Sequence, residues 1–290
     1  MSAPYISQMF PSDRPQMLTE WAHTGYRRGL ANYPHFVDAK GGDIVVSEHD
    51  NHRIQVFDKA ITECRFNPFG ERGNDRNQFL NPSGVTTTNI PGSQMVVADT
   101  GNKRVCFVGI STTQHGYGQL TVTHSFGGQI FEEPVGLEVD VNRNVLMVTD
   151  RAKRRVTMHE MTRGDMIGET SPLAGLIGPV DVASDAKSLI YVSDTMADRI
   201  SVFDRNGDFM FHFGEGILYR PWGLCFDRSG NLIVSDGGND RILLFNGAGQ
   251  LLKEVATGIM TPKGVSVTIH DNIVVATGDP YNFLKVIKFK

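Results

Sequence analysis

Glu48-His49-Asp50-Asn51-His52-Arg53-Ile54-Gln55-Val56-Phe57, preceded by the apolar run Ile44-Val45-Val46, decides the fold. An apolar run, an acid, a short polar turn and an Arg opening a second apolar run make one β-hairpin. The pattern returns with the acid and the Arg five residues apart: Asp99 with Arg104, Asp150 with Arg155, Asp194 with Arg199, Asp236 with Arg241. A sixth copy places Thr277 and Asn282 where the acid and the Arg belong. Each copy is opened by a proline, Pro34, Pro82, Pro134, Pro179, Pro221 and Pro262, at successive spacings of 48, 52, 45, 42 and 41 residues.

The copy that begins at Pro221 shows the internal layout. Trp222–Phe226, Asn231–Ser235, Arg241–Phe245 and Gln250–Val255 are short β-rich runs separated by Asp-Arg-Ser-Gly, the polar turn at Asp236, and Asn-Gly-Ala-Gly. Such turns join antiparallel neighbours. Four strands repeated every 40 to 50 residues predict a β-propeller, and the six prolines predict six blades. The last copy supplies only three strands, so the strand Met17–Trp21 is expected to complete that blade and close the ring. Residues 1–16 read as an irregular lead-in and 17–290 as the propeller.

An acid and an Arg that recur in five blades read first as scaffold, bridging the mouth of each hairpin. Gly84, Gly136, Gly223 and Gly264, two residues after their prolines, read as backbone constraints. Cys64, Cys106 and Cys225 lie in or beside apolar runs without paired spacing, so buried reduced thiols are expected. No basic region precedes an apolar core at the N-terminus, and no apolar run is long enough to span a bilayer. A soluble, cytoplasmic protein without a cofactor is the expectation. The net charge of −4 argues against a uniformly basic nucleic-acid binder but permits a local basic face.

The turn Asn51-His52-Arg53-Ile54 resembles the motif that names the NHL-repeat family. Phe69-Gly70-Glu71-Arg72-Gly73, followed by Gln78-Phe79-Leu80-Asn81-Pro82-Ser83-Gly84-Val85, is similar to that family's link between blades. The compact layout resembles the C-terminal domain of TRIM-NHL proteins, in which a RING, B-box and coiled coil usually come first. The resemblance implies a single-stranded RNA reader acting in post-transcriptional regulation and translational repression. Its partners would be mRNA and proteins of the silencing or translation-repression machinery, with no membrane or DNA partner. The alternative is a protein-interaction platform, or the substrate-recognition domain of a TRIM-type ubiquitin ligase.

In a four-stranded meander the second-to-third-strand turns and the links between blades share one face. What repeats there is scaffold; what differs is free for function. The differing residues are His49 and His52 in blade 1, Lys103 in blade 2, Arg151, Lys153 and Arg154 in blade 3, and Tyr281 in blade 6. Tyr33, His35, Arg220, Trp222 and Lys263 flank prolines, and Arg76 lies in the link into blade 2. Cations that hold phosphates and rings that stack on bases are what a single strand needs. Tyr33, directly before its proline, resembles a base-stacking position in RNA-binding relatives. Arg151 to Arg155 read equally as a solvated charge run, and Trp222 as a cap on the core beneath Pro221. Asp198, Asp240 and Asp279 make the side of blades 4 to 6 less inviting to phosphate. Six-bladed propellers also include metal-dependent enzymes, but the nine His recur at no common blade position.

Overall fold

A computed structural model describes residues 17–21, 32–58, 64–90, 92–112, 118–278 and 284–288. The chain is all-β and forms six antiparallel blades, in which strands pair with sequence neighbours except where the first strand joins the last blade. Blade 1 is Pro34–Asp38, Ile44–Glu48 and Arg53–Phe57. Blade 2 is Pro82–Ile90, Ser93–Asp99, Arg104–Thr112 and Gly118–Gly127; blade 3 is Pro134–Asp140, Val145–Asp150, Arg155–Glu160 and Met166–Glu169. Blade 4 is Pro179–Ser184, Ile190–Asp194, Arg199–Phe203 and Phe209–Phe213; blade 5 is Pro221–Phe226, Leu232–Asp236, Arg241–Phe245 and Leu251–Thr257. Blade 6 is Pro262–Val267, Asn272–Thr277 and Leu284–Lys288, and Met17–Trp21 is its fourth strand. Trp21 stands opposite Leu284 and Glu20 opposite Lys285, which closes the ring as expected. Blade 1 departs from the four-strand expectation. Among the described residues it has three strands, with two isolated bridges beyond the third, Phe57 to Cys64 and Ile54 to Phe69.

Every blade opens in the same register. The proline sits opposite the acid (Pro34 with Glu48, Pro82 with Asp99, Pro134 with Asp150, Pro179 with Asp194, Pro221 with Asp236), and Pro262 sits opposite Thr277. A bulge follows each time, as a residue without an N–H requires in a ladder. Hydroxyls repair part of the ladder: Ser47, Thr149 and Ser193 accept the N–H of Phe36, Gly136 and Asp181 at 3.0, 2.7 and 2.9 Å.

The core lies between blades. Phe107 and Ala98 of blade 2 pack with Leu146 and Val148 of blade 3, and Tyr191 of blade 4 packs with Leu243 and Phe245 of blade 5. Each buried Leu, Val or Phe among them contributes about 1.5–3 kcal/mol. Around the axis the inner strands come too close for a side chain. A Cβ on Gly84 would stand 2.2 Å from the carbonyl oxygen of Val135, and one on Gly223 would stand 2.4 Å from that of Lys263. The three cysteines are buried and free.

Candidate functional site

Each scaffold acid is a fully buried strand end, and it does more than meet its Arg. In blades 2 to 5 the carboxylate accepts backbone N–H groups from the link that enters its own blade, whereas Glu48 accepts the side chains of Asn51, Arg53 and Gln55. Asp99 accepts from Leu80 at 2.7 Å and Asp236 from Tyr219 at 2.7 Å. Asp150 accepts from Glu132 and Glu133, both at 3.0 Å, and Asp194 from Ile177 and Gly178 at 3.1 and 2.7 Å. The Arg takes the carbonyls of the same link. Arg104 reaches Asn74, Asp75 and Gln78 at 3.1, 2.9 and 2.8 Å, and Arg241 reaches Ile217 at 2.8 Å. The expected acid–Arg bridge forms in blades 1, 2, 4 and 5, at 3.0, 2.7, 3.7 and 2.7 Å. Blade 3 departs from it: Arg155 pairs with Glu169 on the outer strand, while Asp150 accepts two link amides. Burial pushes the carboxyl pKa of Glu48 and of Asp99 up, against the pull of Arg53 and Arg104.

The residue before the scaffold Arg is left-handed in five blades: His52, Lys103, Arg154, Asp198 and Asp240 have φ of 53 to 55°. Where that residue carries an acceptor, it clamps the next link. His52 Nδ1 accepts the N–H of Asn81 at 3.0 Å, Asp198 that of Arg220 at 2.7 Å, and Asp240 that of Thr261 at 2.7 Å. Those three recipients, each just before a proline, are themselves left-handed, with φ of 50, 51 and 41°. Lys103 and Arg154 have no acceptor. The residues they would clamp, Glu133 and Gly178, give their N–H to Asp150 and Asp194 instead.

Turns and links converge, as the meander requires, on one cavity of about 920 Å³ at this end of the ring. Of the residues singled out by sequence, Tyr33, Arg151, Arg154, Arg220, Trp222 and Lys263 line it. Arg154 and Arg220 are exposed, and neither side chain has a hydrogen-bonding or ionic partner among the described residues. Trp222 shows one side to the cavity and packs the other against the axial cluster of Phe36, Val85, Val135 and Val180. Tyr33 stacks on His35 with ring centroids 5.8 Å apart.

The other described residues singled out by sequence are engaged with the protein or lie outside the cavity lining. Lys263 is only 5% exposed, with Nζ 3.3 Å from the Tyr33 ring centroid and 5.1 Å from that of Trp222. It braces the two rings through cation–π contact. His35 is 8% exposed and bonded to Ser83 at 3.1 Å; burial, then the neighbouring Lys263, pushes its pKa well below the usual value. It supports Tyr33 and Trp222 from beneath. His52 is a clamp. His49 packs edge-on to Tyr33, meets Asp50 at 2.7 Å and lies outside the cavity lining. Arg76 is tied to the outer strand of blade 2 through Val122 at 2.8 Å. In blade 3, Lys153 holds the carbonyl of Ile130 at 2.6 Å, and Arg151 pairs with Glu133 through Nε at 2.9 Å. Among the described residues the run of three cations therefore leaves one, Arg154, without a partner. Lys103 is exposed on the blade 2 turn, and Tyr281 lies outside the described residues, as do Asp279 and Asn282.

Sequence reading missed an apolar arc on the same rim. Ile177, Met196 and Tyr219 are 43, 71 and 50% exposed and line the cavity. Tyr219 sits two residues before Pro221, so an aromatic beside a blade-opening proline was the available signal. Among the described residues no group of three or more His, Cys, Asp or Glu is arranged to hold a metal ion.

Comparison with known proteins places this geometry. The NHL repeat model matches residues 32–57 and 218–245. "Protein brain tumor" of Drosophila melanogaster is 31% identical over 132 residues, 42% of this chain and 13% of that protein. "B-box type zinc finger protein ncl-1" of Caenorhabditis elegans is 28% identical over 197 residues, 68% of this chain and 17% of that protein. The chain thus spans a small part of the length of these relatives. Among solved structures, a streptogramin B lyase superposes with a TM-score of 0.60 at 11% identity, over 95% of this chain and 100% of that one. A Bacteroides thetaiotaomicron protein of unknown function gives 0.65 at 11%, over 95% and 72%. At such identity the likeness is one of fold.

Proposed function

We propose that this NHL-repeat propeller, which resembles the domains of TRIM-NHL proteins, is a single-stranded RNA-binding module that reads short mRNA motifs in post-transcriptional regulation. One observation carries the reading: two guanidiniums without a partner among the described residues, Arg154 and Arg220, share a 920 Å³ cavity with the braced rings of Tyr33 and Trp222. Guanidiniums hold phosphate oxygens in a fork, and ring faces accept any base by stacking. The bracing beneath the rings lowers the ordering cost of a stacked base. On this reading the working unit is residues 17–290, the setting is cytoplasmic, and further partners are proteins of translational repression.

The apolar arc of Ile177, Met196 and Tyr219 favours a second reading, in which the same face takes a peptide as a protein-interaction platform. Fluorescence polarisation of short labelled U-, A- and C-rich RNAs at low salt separates the two. The RNA reading expects micromolar or tighter, base-selective binding that Arg154→Glu with Arg220→Glu abolishes while the melting temperature holds. No binding to any RNA would leave the peptide platform.

A further inference from the structure

The left-handed turn position takes two kinds of residue, and its backbone is the same in both cases. His52, Asp198 and Asp240 use their acceptor atoms to clamp the N–H before the next proline. Lys103 and Arg154 hold the same φ, 55 and 54°, with donors only. Their links need no clamp, because Asp150 and Asp194 each accept two link amides where Asp99 and Asp236 each accept one. A non-glycine residue in this region of φ is strained. In blades 1, 4 and 5 the strain is offset by a hydrogen bond that ties two blades together. In blades 2 and 3 no such bond is made, and the cation stands exposed with its side chain unpartnered among the described residues.

We propose that Lys103 and Arg154 are phosphate contacts, and that the backbone of a bound single strand leaves the cavity across blades 3 and 2. The inference rests on the RNA reading and deepens it. Blades 4 and 5 present the carboxylates of Asp198 and Asp240 at the same position, each with one oxygen engaged by the clamp. The strand therefore leaves the cavity away from those two turns, while Arg220, on the link beside Asp198, holds the end that stays inside it. With Arg220, the corridor supplies three cations, so the logarithm of affinity against the logarithm of salt should fall with a slope of roughly −2, at about 0.7 per neutralised phosphate on a single strand.

The test is polarisation of a labelled single-stranded RNA over a salt series, with wild type, Lys103→Gln, Arg154→Gln and Arg205→Gln. Arg205 is exposed on the third-to-fourth-strand turn of blade 4, at the opposite end of the ring. The corridor requires each of the first two substitutions to flatten the slope by about 0.7, and Arg205→Gln to leave it unchanged. Melting temperatures of Lys103→Gln and Arg154→Gln should match wild type, because neither side chain clamps a link. If wild type binds and both slopes stay at its value, the corridor is wrong and the RNA reading stands. If wild type binds no RNA at low salt, the RNA reading fails and takes the corridor with it.

Discussion

Blades 4 and 5 end their second-to-third-strand turn on Asp198 and Asp240; blades 2 and 3 end it on Lys103 and Arg154. The backbone does not distinguish them: all four residues have φ of 54 or 55°. What differs is where the next link sends its N–H. In the first pair it goes back to the turn, at 2.7 Å in both cases; in the second it goes to the strand-end acid of its own blade. One fold position therefore serves assembly in one half of the ring and is released from assembly in the other. Repetition marks the scaffold, and the blades that break it mark the ligand face.

The largest test of this comparison concerns the acids beneath both halves. Asp236→Ala strands Arg241 and the Tyr219 amide inside the blade, and should cost about 3–5 kcal/mol in chemical denaturation. An effect below about 1 kcal/mol would mean that the acid does not hold the link. Next in size is the clamp itself. Asp240→Ala should cost about 1 kcal/mol by orphaning the Thr261 N–H, while Asp240→Asn, which keeps an acceptor, should recover most of it. Equal loss in both variants would assign the effect to charge and not to the clamp.

A smaller effect comes from His52, the one clamp whose acceptor is an imidazole nitrogen. Burial, then Arg72 and His49, lowers its pKa in the folded chain. Protonation at Nδ1 would destroy the acceptor for Asn81. A folded pKa below the unfolded one gives a contribution present above about pH 6.5 and lost as the pH falls through the folded pKa. The stability of wild type should therefore drop more between pH 7.5 and 5 than that of His52→Asn; parallel curves would remove His52 from the clamps. The smallest expected change is Arg154→Asp. It installs an acceptor where the Gly178 N–H is already bonded to Asp194, so stability should stay within about 0.5 kcal/mol. A clear gain would show that blade 3 lacks a clamp only for want of a carboxylate.

Much of the fold was legible because a propeller writes its period into the chain. The prolines set the blades, and the acid–Arg spacing set the hairpins. The missing fourth strand of the last copy called for Met17–Trp21. The site was less legible. That Lys103 and Arg154 differ from Asp198 and Asp240 is visible in the sequence, but their role depends on where a link amide points. Likewise, Lys153 and Arg151 read as free cations until the link folds back to present the Ile130 carbonyl and Glu133. Lys263 and His35 read as surface residues because they flank prolines, yet their inner strands turn them under Tyr33 and Trp222. The rerouting of Arg155 to Glu169 rests on a cross-strand neighbour from the outer edge of the blade, which local spacing does not reveal.

The decisive measurement is photo-crosslinking of a 4-thiouridine-labelled single-stranded RNA to the chain, with the crosslinked peptides mapped. The account predicts crosslinks on the cavity residues Tyr33 and Trp222 and on the blade 2 and blade 3 turns that carry Lys103 and Arg154. Crosslinks confined to the turns of Asp198 and Asp240, or to the opposite end of the ring, would contradict it.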